Sequence, residues 1–174
     1  KKYNLIYLVD GAQGCGHILI DMKKHNINFL AFAGHKGFLS PQGVGCLCLN
    51  TTKIPSPILF GGTGTDSINL LQPLNLPERL ESGTLPSQNI IALKSGLNYI
   101  EKNFKKNKSK VEKLTKYLYE NLKQMKDICL YTYPNFESGI ICFNLKDFDS
   151  IELSNYLDQK HNIAVRGGLH CAPL

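Results

Sequence analysis

The feature that most restricts the fold is the run "NLIYLVD", residues 4–10, which is apolar almost to its end, stops on an aspartate and is followed at once by Gly11-Ala12-Gln13. A short apolar run with no polar face predicts a strand buried on both sides, as in a parallel sheet covered by helices. The carboxyl ends of such strands are where open α/β sheets bind ligands. A carboxylate there is costly to desolvate unless a cation meets it, so Asp10 becomes a candidate site residue, with a turn-capping aspartate as the bland alternative.

The rest of the chain alternates strand and helix signals, which predicts an α/β fold. "INFLAFAG" and "VGCLCLN" read as two further strands on either side of a loop carrying Lys36. Residues 54–89 are rich in Gly, Pro, Ser and Thr and show no period, the mark of a long functional loop. Ile90, Leu93, Leu97, Ile100 and Phe104 fall at helical spacing, and a second helix is expected to continue from about Val111, with the lobe boundary in this helical region. The reading then gives strands "ICLYTYP" and "GIICFNL", a helix from about Ser150 to Gln159, and a final strand "NIAVRG". Two domains are expected, residues 1–100 with the lysine loop and residues 101–174 with the long helix and a small α+β lobe.

The net charge of +6 is explained locally, since residues 101–126 hold nine lysines against three glutamates. Those lysines lie opposite an apolar stripe at Val111, Leu114, Leu118, Leu122 and Met125, which predicts a solvated helix face and no nucleic-acid partner. No apolar run reaches the roughly 18 residues of a membrane span, and the start lacks the pattern of a signal peptide, so a cytoplasmic address with no membrane partner is expected. The six cysteines, Cys15, Cys46, Cys48, Cys129, Cys142 and Cys171, are spread through apolar segments and read mostly as buried thiols. "CLC" has the wrong spacing for a zinc knuckle, and no metal site is expected.

Asp10 would be explained by a protonated heteroaromatic nitrogen. Pyridoxal 5'-phosphate needs such a partner, because an acidic group keeps its ring nitrogen protonated and able to absorb carbanion electrons. The amide of Gln13 could reach the phenolic oxygen of the same ring, Lys36 could supply the amine, and His35 could donate to a phosphate oxygen. Taken one at a time, a surface lysine and a capping aspartate explain these residues equally well.

Taken together, "VDGAQGCGH", "FAGHKGFLSPQGVG", "PERLESGTLPSQN" and "VRGGLHCAPL" resemble, in order, four motifs of the class V aminotransferase superfamily. Within it the resemblance is to cysteine desulfurases of the selenocysteine-lyase-like branch. It implies the C-terminal part of the fold type I large domain of pyridoxal-phosphate transferases, with a mostly parallel sheet, followed by a small lobe. It also implies a homodimer that removes sulfur from L-cysteine, or selenium from L-selenocysteine, to give alanine, an aldimine on Lys36, a persulfide on Cys171 and a sulfur-acceptor protein as partner. By the same resemblance Asp10 partners the pyridine nitrogen, Gln13 the phenolic oxygen and His35 the phosphate. Thr84 reaches the phosphate of the neighbouring subunit, and Arg166 is the substrate-binding arginine. His17 matches a family position without an assigned role.

Cys171 follows Gly167 and Gly168, and a nucleophile that travels between substrate and acceptor benefits from a hinge without side chains. Arg166 and His170 lie close in sequence and would favour the thiolate. Where the family often has serine or threonine, three residues before the lysine, this chain has Ala33. The family extends further on both sides, so the chain reads as an internal piece of such an enzyme, and the alternative reading is a non-catalytic remnant that keeps lobes and dimer surface.

Overall fold

Strand β2 (Phe29–Ala33) is the element around which the first half of the chain is organised, with β1 (Leu8–Asp10) parallel on one side and β3 (Gly45–Leu49) antiparallel on the other. The computed structural model describes residues 3, 5–66, 68–132 and 136–171. The chain divides into two units, Lys1–Phe104 and Lys105–Leu174.

In the first unit the register places Asp10 opposite Ala31, and Ala33 opposite Gly45. Cys15, Ile27 and Leu30 form the buried centre, against which Val9, Ile20, Met22, Phe32, Phe38 and Cys48 pack. Each fully buried Ile or Leu contributes about 1.5–3 kcal/mol. Phe32 and Phe38 meet edge-on, with centroids 4.9 Å apart.

Strand β1 departs from the expectation of burial on both faces. Leu5, Ile6, Tyr7 and Leu8 are all exposed, and so is Asp10. The reason is topological: β1 is the edge of a three-stranded sheet and pairs with β2 alone.

The irregular segment after β3 is folded around Gln72, which is buried although polar. Its Oε1 accepts from the Gly61 N–H at 2.9 Å, and its Nε2 donates to the carbonyls of Glu78 (2.8 Å) and Glu81 (2.9 Å). A buried amide satisfied by three backbone groups explains how a loop without period holds a shape. A 3-10 turn, Glu78–Leu80, closes it.

Helix α1 (Ser87–Gln124) is one continuous element of 38 residues, where two helices were expected. Residues 105–110 contain neither glycine nor proline, so nothing interrupts the ladder. Pro86 precedes it, in keeping with the tolerance of proline where N–H groups are unpaired.

In the second unit β4 (Ile128–Leu130) pairs antiparallel with β5 (Phe143–Leu145), and α2 (Ser150–His161) follows. Tyr133 and Pro134 of the expected strand "ICLYTYP" lie outside the described residues. Asp149 caps α2 by accepting from the N–H groups of Ile151 (2.8 Å) and Glu152 (3.0 Å). Asn162 ends it in the left-handed region, at φ 53°. Among the described residues of this unit only Thr115 and Leu122 are buried, so the stripe through Leu114, Leu118 and Met125 is exposed, contrary to expectation.

The final strand "NIAVRG" does not form. Residues 162–166 are exposed and pair with no strand among the described residues, although Ser154 Oγ donates to the Val165 carbonyl at 2.8 Å. Burial of most of the thiols was expected, but Cys15 alone is buried, Cys46, Cys48 and Cys129 are half-buried, and Cys142 and Cys171 are exposed. Among the described residues no helix is long and apolar enough to cross a membrane.

Candidate active site

The lysine loop and the loop after β1 are locked together by glycines. A side chain on Gly37 would run into the carbonyl of Cys15, and one on Gly16, at φ 85°, would run into the carbonyl of Gly37. Backbone approach this close is available only without a Cβ. It explains "GCG" in the first motif and "HKG" in the second as two halves of one contact, which brings the segment bearing Lys36 against the segment that begins at Asp10. Gly34 and Ser40 add a backbone bond across the lysine loop (Ser40 N–H to Gly34 carbonyl, 3.0 Å), and the Gly34 N–H donates to Val44 at 3.0 Å.

Asp10 ends β1 and its Oδ1 accepts from the Ala12 N–H at 2.9 Å. It therefore does cap a turn, and its other oxygen makes no bond among the described residues. Asp10, Ala12, Ala33, His35 and Val44 border an open hollow of about 750 Å3 above the sheet. Gln13 and Lys36 are exposed on the adjoining loops but are not among its walls. A carboxylate, an imidazole and a primary amine on neighbouring loops are the donor set that pyridoxal phosphate needs for its ring nitrogen, phosphate and aldehyde, so the residues present fit that cofactor.

Thr84 is placed by a second glycine contact. A Cβ on Gly62 would stand 2.9 Å from Gly83 Cα, and the Gly83 N–H donates to the Gly61 carbonyl at 3.0 Å. The glycine-rich stretch "FGGTGTDS", residues 60–67, thus makes a close backbone approach to "ESGTLP", leaving Thr84 exposed at the end of the contact. Ser67 of that motif lies outside the described residues.

The second unit holds Arg166 and Cys171. The Arg166 guanidinium donates to the Cys171 Sγ across 3.8 Å. His170 Nε2 stands 2.7 Å from the Arg166 carbonyl. A carbonyl only accepts, so that nitrogen carries the proton and Nδ1 is left as the ring's second site. The double glycine is an anchor as much as a hinge: a Cβ on Gly167 would lie 2.6 Å from the Ser150 carbonyl and 2.9 Å from Ile151 Cα. Gly168 donates its N–H to Ser150 Oγ at 3.2 Å and takes φ 82°. The chain is pinned to the start of α2 there, and Leu169, His170 and Cys171 beyond it are exposed. Ala172, Pro173 and Leu174 of the last motif lie outside the described residues.

The other thiols are electrostatically set apart in the first unit. Burial, then the neighbouring Cys48, raises Cys15 above the ordinary thiol range; burial, then Cys48 and Glu81, raises Cys46; burial raises Cys48. Such thiols stay protonated and are poor nucleophiles. Sequence reasoning missed Gln72 and the pairing of Gly16 with Gly37, and only the glycine spacing of the two motifs hinted at the second.

Residues 1–174 match the aminotransferase class-V family over their whole length. A protein of Pyrococcus abyssi named "Probable cysteine desulfurase" is 36% identical, over 99% of this chain and 44% of its own length. One of the same name from Methanothermobacter thermautotrophicus is 33% identical, over 96% and 43%. The solved apo structure of a cysteine desulfurase from Thermococcus onnurineus superposes with a TM-score of 0.85 at 34% identity, covering 99% of this chain and 44% of that one. An Escherichia coli cysteine desulfurase shares the fold at TM-score 0.82 and 23% identity, over 97% and 43%. The chain spans less than half the length of these relatives.

Proposed function

The chain belongs to the aminotransferase class-V family, and on that premise we propose that it is the part of a pyridoxal-phosphate-dependent cysteine desulfurase that carries the cofactor lysine, Lys36, and the sulfur-accepting nucleophile, Cys171. The observation that carries the reading is Cys171 itself, an exposed thiol beside the Arg166 guanidinium, whereas the thiols of the first unit with raised pKa values are held protonated by burial. Amino-group exchange alone has no use for such a residue.

Pyridoxal phosphate, when bound, supplies a ring that takes up the electron pair released next to the substrate's amine. Asp10 would hold the proton on the ring nitrogen, and Gln13 would donate to the phenolic oxygen. His35 would donate to a phosphate oxygen, Thr84 would do the same for a neighbouring subunit, and Lys36 would hold the aldehyde carbon and move protons at the substrate carbons. Arg166 orients the substrate of this reading, L-cysteine. The Cys171 thiolate attacks the substrate sulfur, forming an S–S bond as the C–S bond breaks. The electron pair goes to the carbon, which gains a proton and leaves as alanine, while Cys171 keeps the sulfur as a persulfide until an acceptor takes it. A homodimer at work in the cytoplasm, handing sulfur to an acceptor protein, completes the proposal.

The test uses the native protein loaded with pyridoxal phosphate, given L-cysteine and a reductant, with alanine and sulfide followed together. Equal release of both, lost in Cys171→Ser, supports the reading. Cysteine converted to a keto acid by amino-group exchange, or left untouched by cofactor-loaded protein, overturns it.

A further inference from the structure

In the second unit β5 and the segment after α2 border a hollow of about 590 Å3 whose walls include Cys142, Asn144, Ser154, Arg166 and His170. Cys142 is exposed and has no part in the reaction above. Its backbone is fixed on both sides: its carbonyl accepts from the Tyr131 N–H at 2.9 Å, and its N–H donates to Thr132 Oγ1. Asn144, on β5 two positions along, lines the same hollow. Its Nδ2 donates to the Phe148 carbonyl at 2.8 Å, while its Oδ1 is buried with no hydrogen-bond partner among the described residues. A buried acceptor without a donor is unfavourable, so it marks a place where a donor belongs. Arg166 links this hollow to the nucleophile, being both part of its wall and a donor to Cys171 Sγ. Cys171 lies three residues beyond the anchor at Gly168, on an arm with few contacts of its own.

We propose that Cys142 is a second sulfur carrier, receiving the outer sulfur of the Cys171 persulfide inside this hollow, with Asn144 Oδ1 accepting the S–H of the sulfur so transferred. The proposal rests on the desulfurase reading above. In the step the Cys142 thiolate attacks the outer sulfur of Cys171–S–SH. The new S–S bond forms on Cys142 as the old one breaks, the electron pair leaves with Cys171 Sγ as a thiolate, and the hydrogen stays on the transferred sulfur. One thiolate and one persulfide enter and one of each leaves, so no oxidant or reductant is consumed. The transfer frees Cys171 for another substrate.

The experiment follows sulfur residue by residue. Native protein loaded with pyridoxal phosphate is given L-cysteine, quenched with an alkylating agent at successive times, and its peptides are weighed. One extra sulfur is expected first on the Cys171 peptide and then on the Cys142 peptide. Cys171→Ser is expected to leave Cys142 unloaded, and Cys142→Ser to prolong the persulfide on Cys171. Sulfur on Cys171 alone, or on Cys142 at the wild-type rate in Cys171→Ser, overturns the relay while leaving the cysteine-consuming reaction intact. A protein whose Cys171 never carries sulfur defeats the desulfurase reading, and the relay with it. A second measurement needs no turnover: diamide, a thiol oxidant, applied to the cofactor-free protein is expected to give a Cys142–Cys171 disulfide, and failure of these two thiols to cross-link removes the juxtaposition on which the relay depends.

Discussion

The loops that carry Lys36 and Cys171 place reactive side chains in opposite ways. The lysine loop is wedged at Gly37 against the backbone of Cys15 and Gly16 and is bonded across itself from Ser40 to Gly34, so its position is set by the sheet beneath it. The cysteine loop is held at Gly167 and Gly168 and then runs free of the buried interior. A residue that must meet a cofactor in one geometry gains from the first arrangement. A residue that must collect an atom in one place and release it in another gains from the second. The difference teaches that the glycines of the two motifs do separate work, close approach in one and a pinned pivot in the other.

The largest expected effects come from removing the reactive groups themselves. Lys36→Ala should lower desulfuration by at least the roughly 10²–10⁴-fold typical of losing a proton-transfer group. It should also abolish covalent trapping of the cofactor by borohydride, which mass spectrometry of the lysine-loop peptide checks. Trapped cofactor on the variant at the wild-type level would show that another lysine does this work.

Next comes the wedge. Gly37→Ala puts a methyl group into the Cys15 carbonyl, and overpacking of that kind costs about 1–3 kcal/mol or more. Urea unfolding should report the loss, together with weakened cofactor binding. The matching change in the other loop, Gly168→Ala, forces a Cβ into the left-handed region at φ 82°, at about 1–2 kcal/mol. It should slow persulfide formation while leaving cofactor binding as it was. If Gly168→Ala weakened the cofactor as much as Gly37→Ala does, the division of labour between the loops would be wrong.

How much of this was legible beforehand depended on whether the cause was local. The strands around Lys36 could be read because apolar runs flank a polar loop, and α2, expected from about Ser150 to Gln159, forms over Ser150–His161. The exposure of β1 could not, since "NLIYLVD" looks the same in the middle of a sheet and at its edge. The missing last strand has the same cause: "NIAVRG" has strand-forming residues but pairs with no strand among the described residues. Splitting α1 was a misreading of composition, because lysine-rich residues 105–110 favour helix. The roles proposed for Asp10, Gln13, His35, Lys36, Thr84, Arg166 and Cys171 rest on motif likeness; spacing alone allowed a capping aspartate and a surface lysine. Gln72 was invisible because its partners are backbone groups of a loop whose path had no pattern.

The thiols sharpen the comparison more gently. With iodoacetamide near neutral pH, Cys171 and Cys142 should react first and Cys15 last, as digestion and mass spectrometry would show. The folded pKa values of Cys15, Cys46 and Cys48 are raised, chiefly by burial, above the ordinary value of 9.0. A raised thiol pKa means that the folded state holds its protons more tightly. The associated stability is full below 9.0 and is lost as pH rises through the folded values. Denaturation midpoints should therefore fall on the alkaline side of pH 9.0, and a midpoint that rose there would contradict the burial of these groups. Smallest of all, Ser150→Ala removes the acceptor for the Gly168 N–H and should cost about 0.5–1.5 kcal/mol, with the cofactor unaffected.

The central claim is that Lys36 holds the cofactor and Cys171 takes the sulfur, the first without need of the second. The most direct measurement is made on Cys171→Ser loaded with pyridoxal phosphate and divided, one part trapped with borohydride before any substrate is added and the other treated with L-cysteine for persulfide detection by mass. The account expects cofactor mass on the Lys36 peptide in full and extra sulfur on no cysteine at all. Loss of the trapped cofactor, or a persulfide formed as fast as in the wild-type protein, would contradict it.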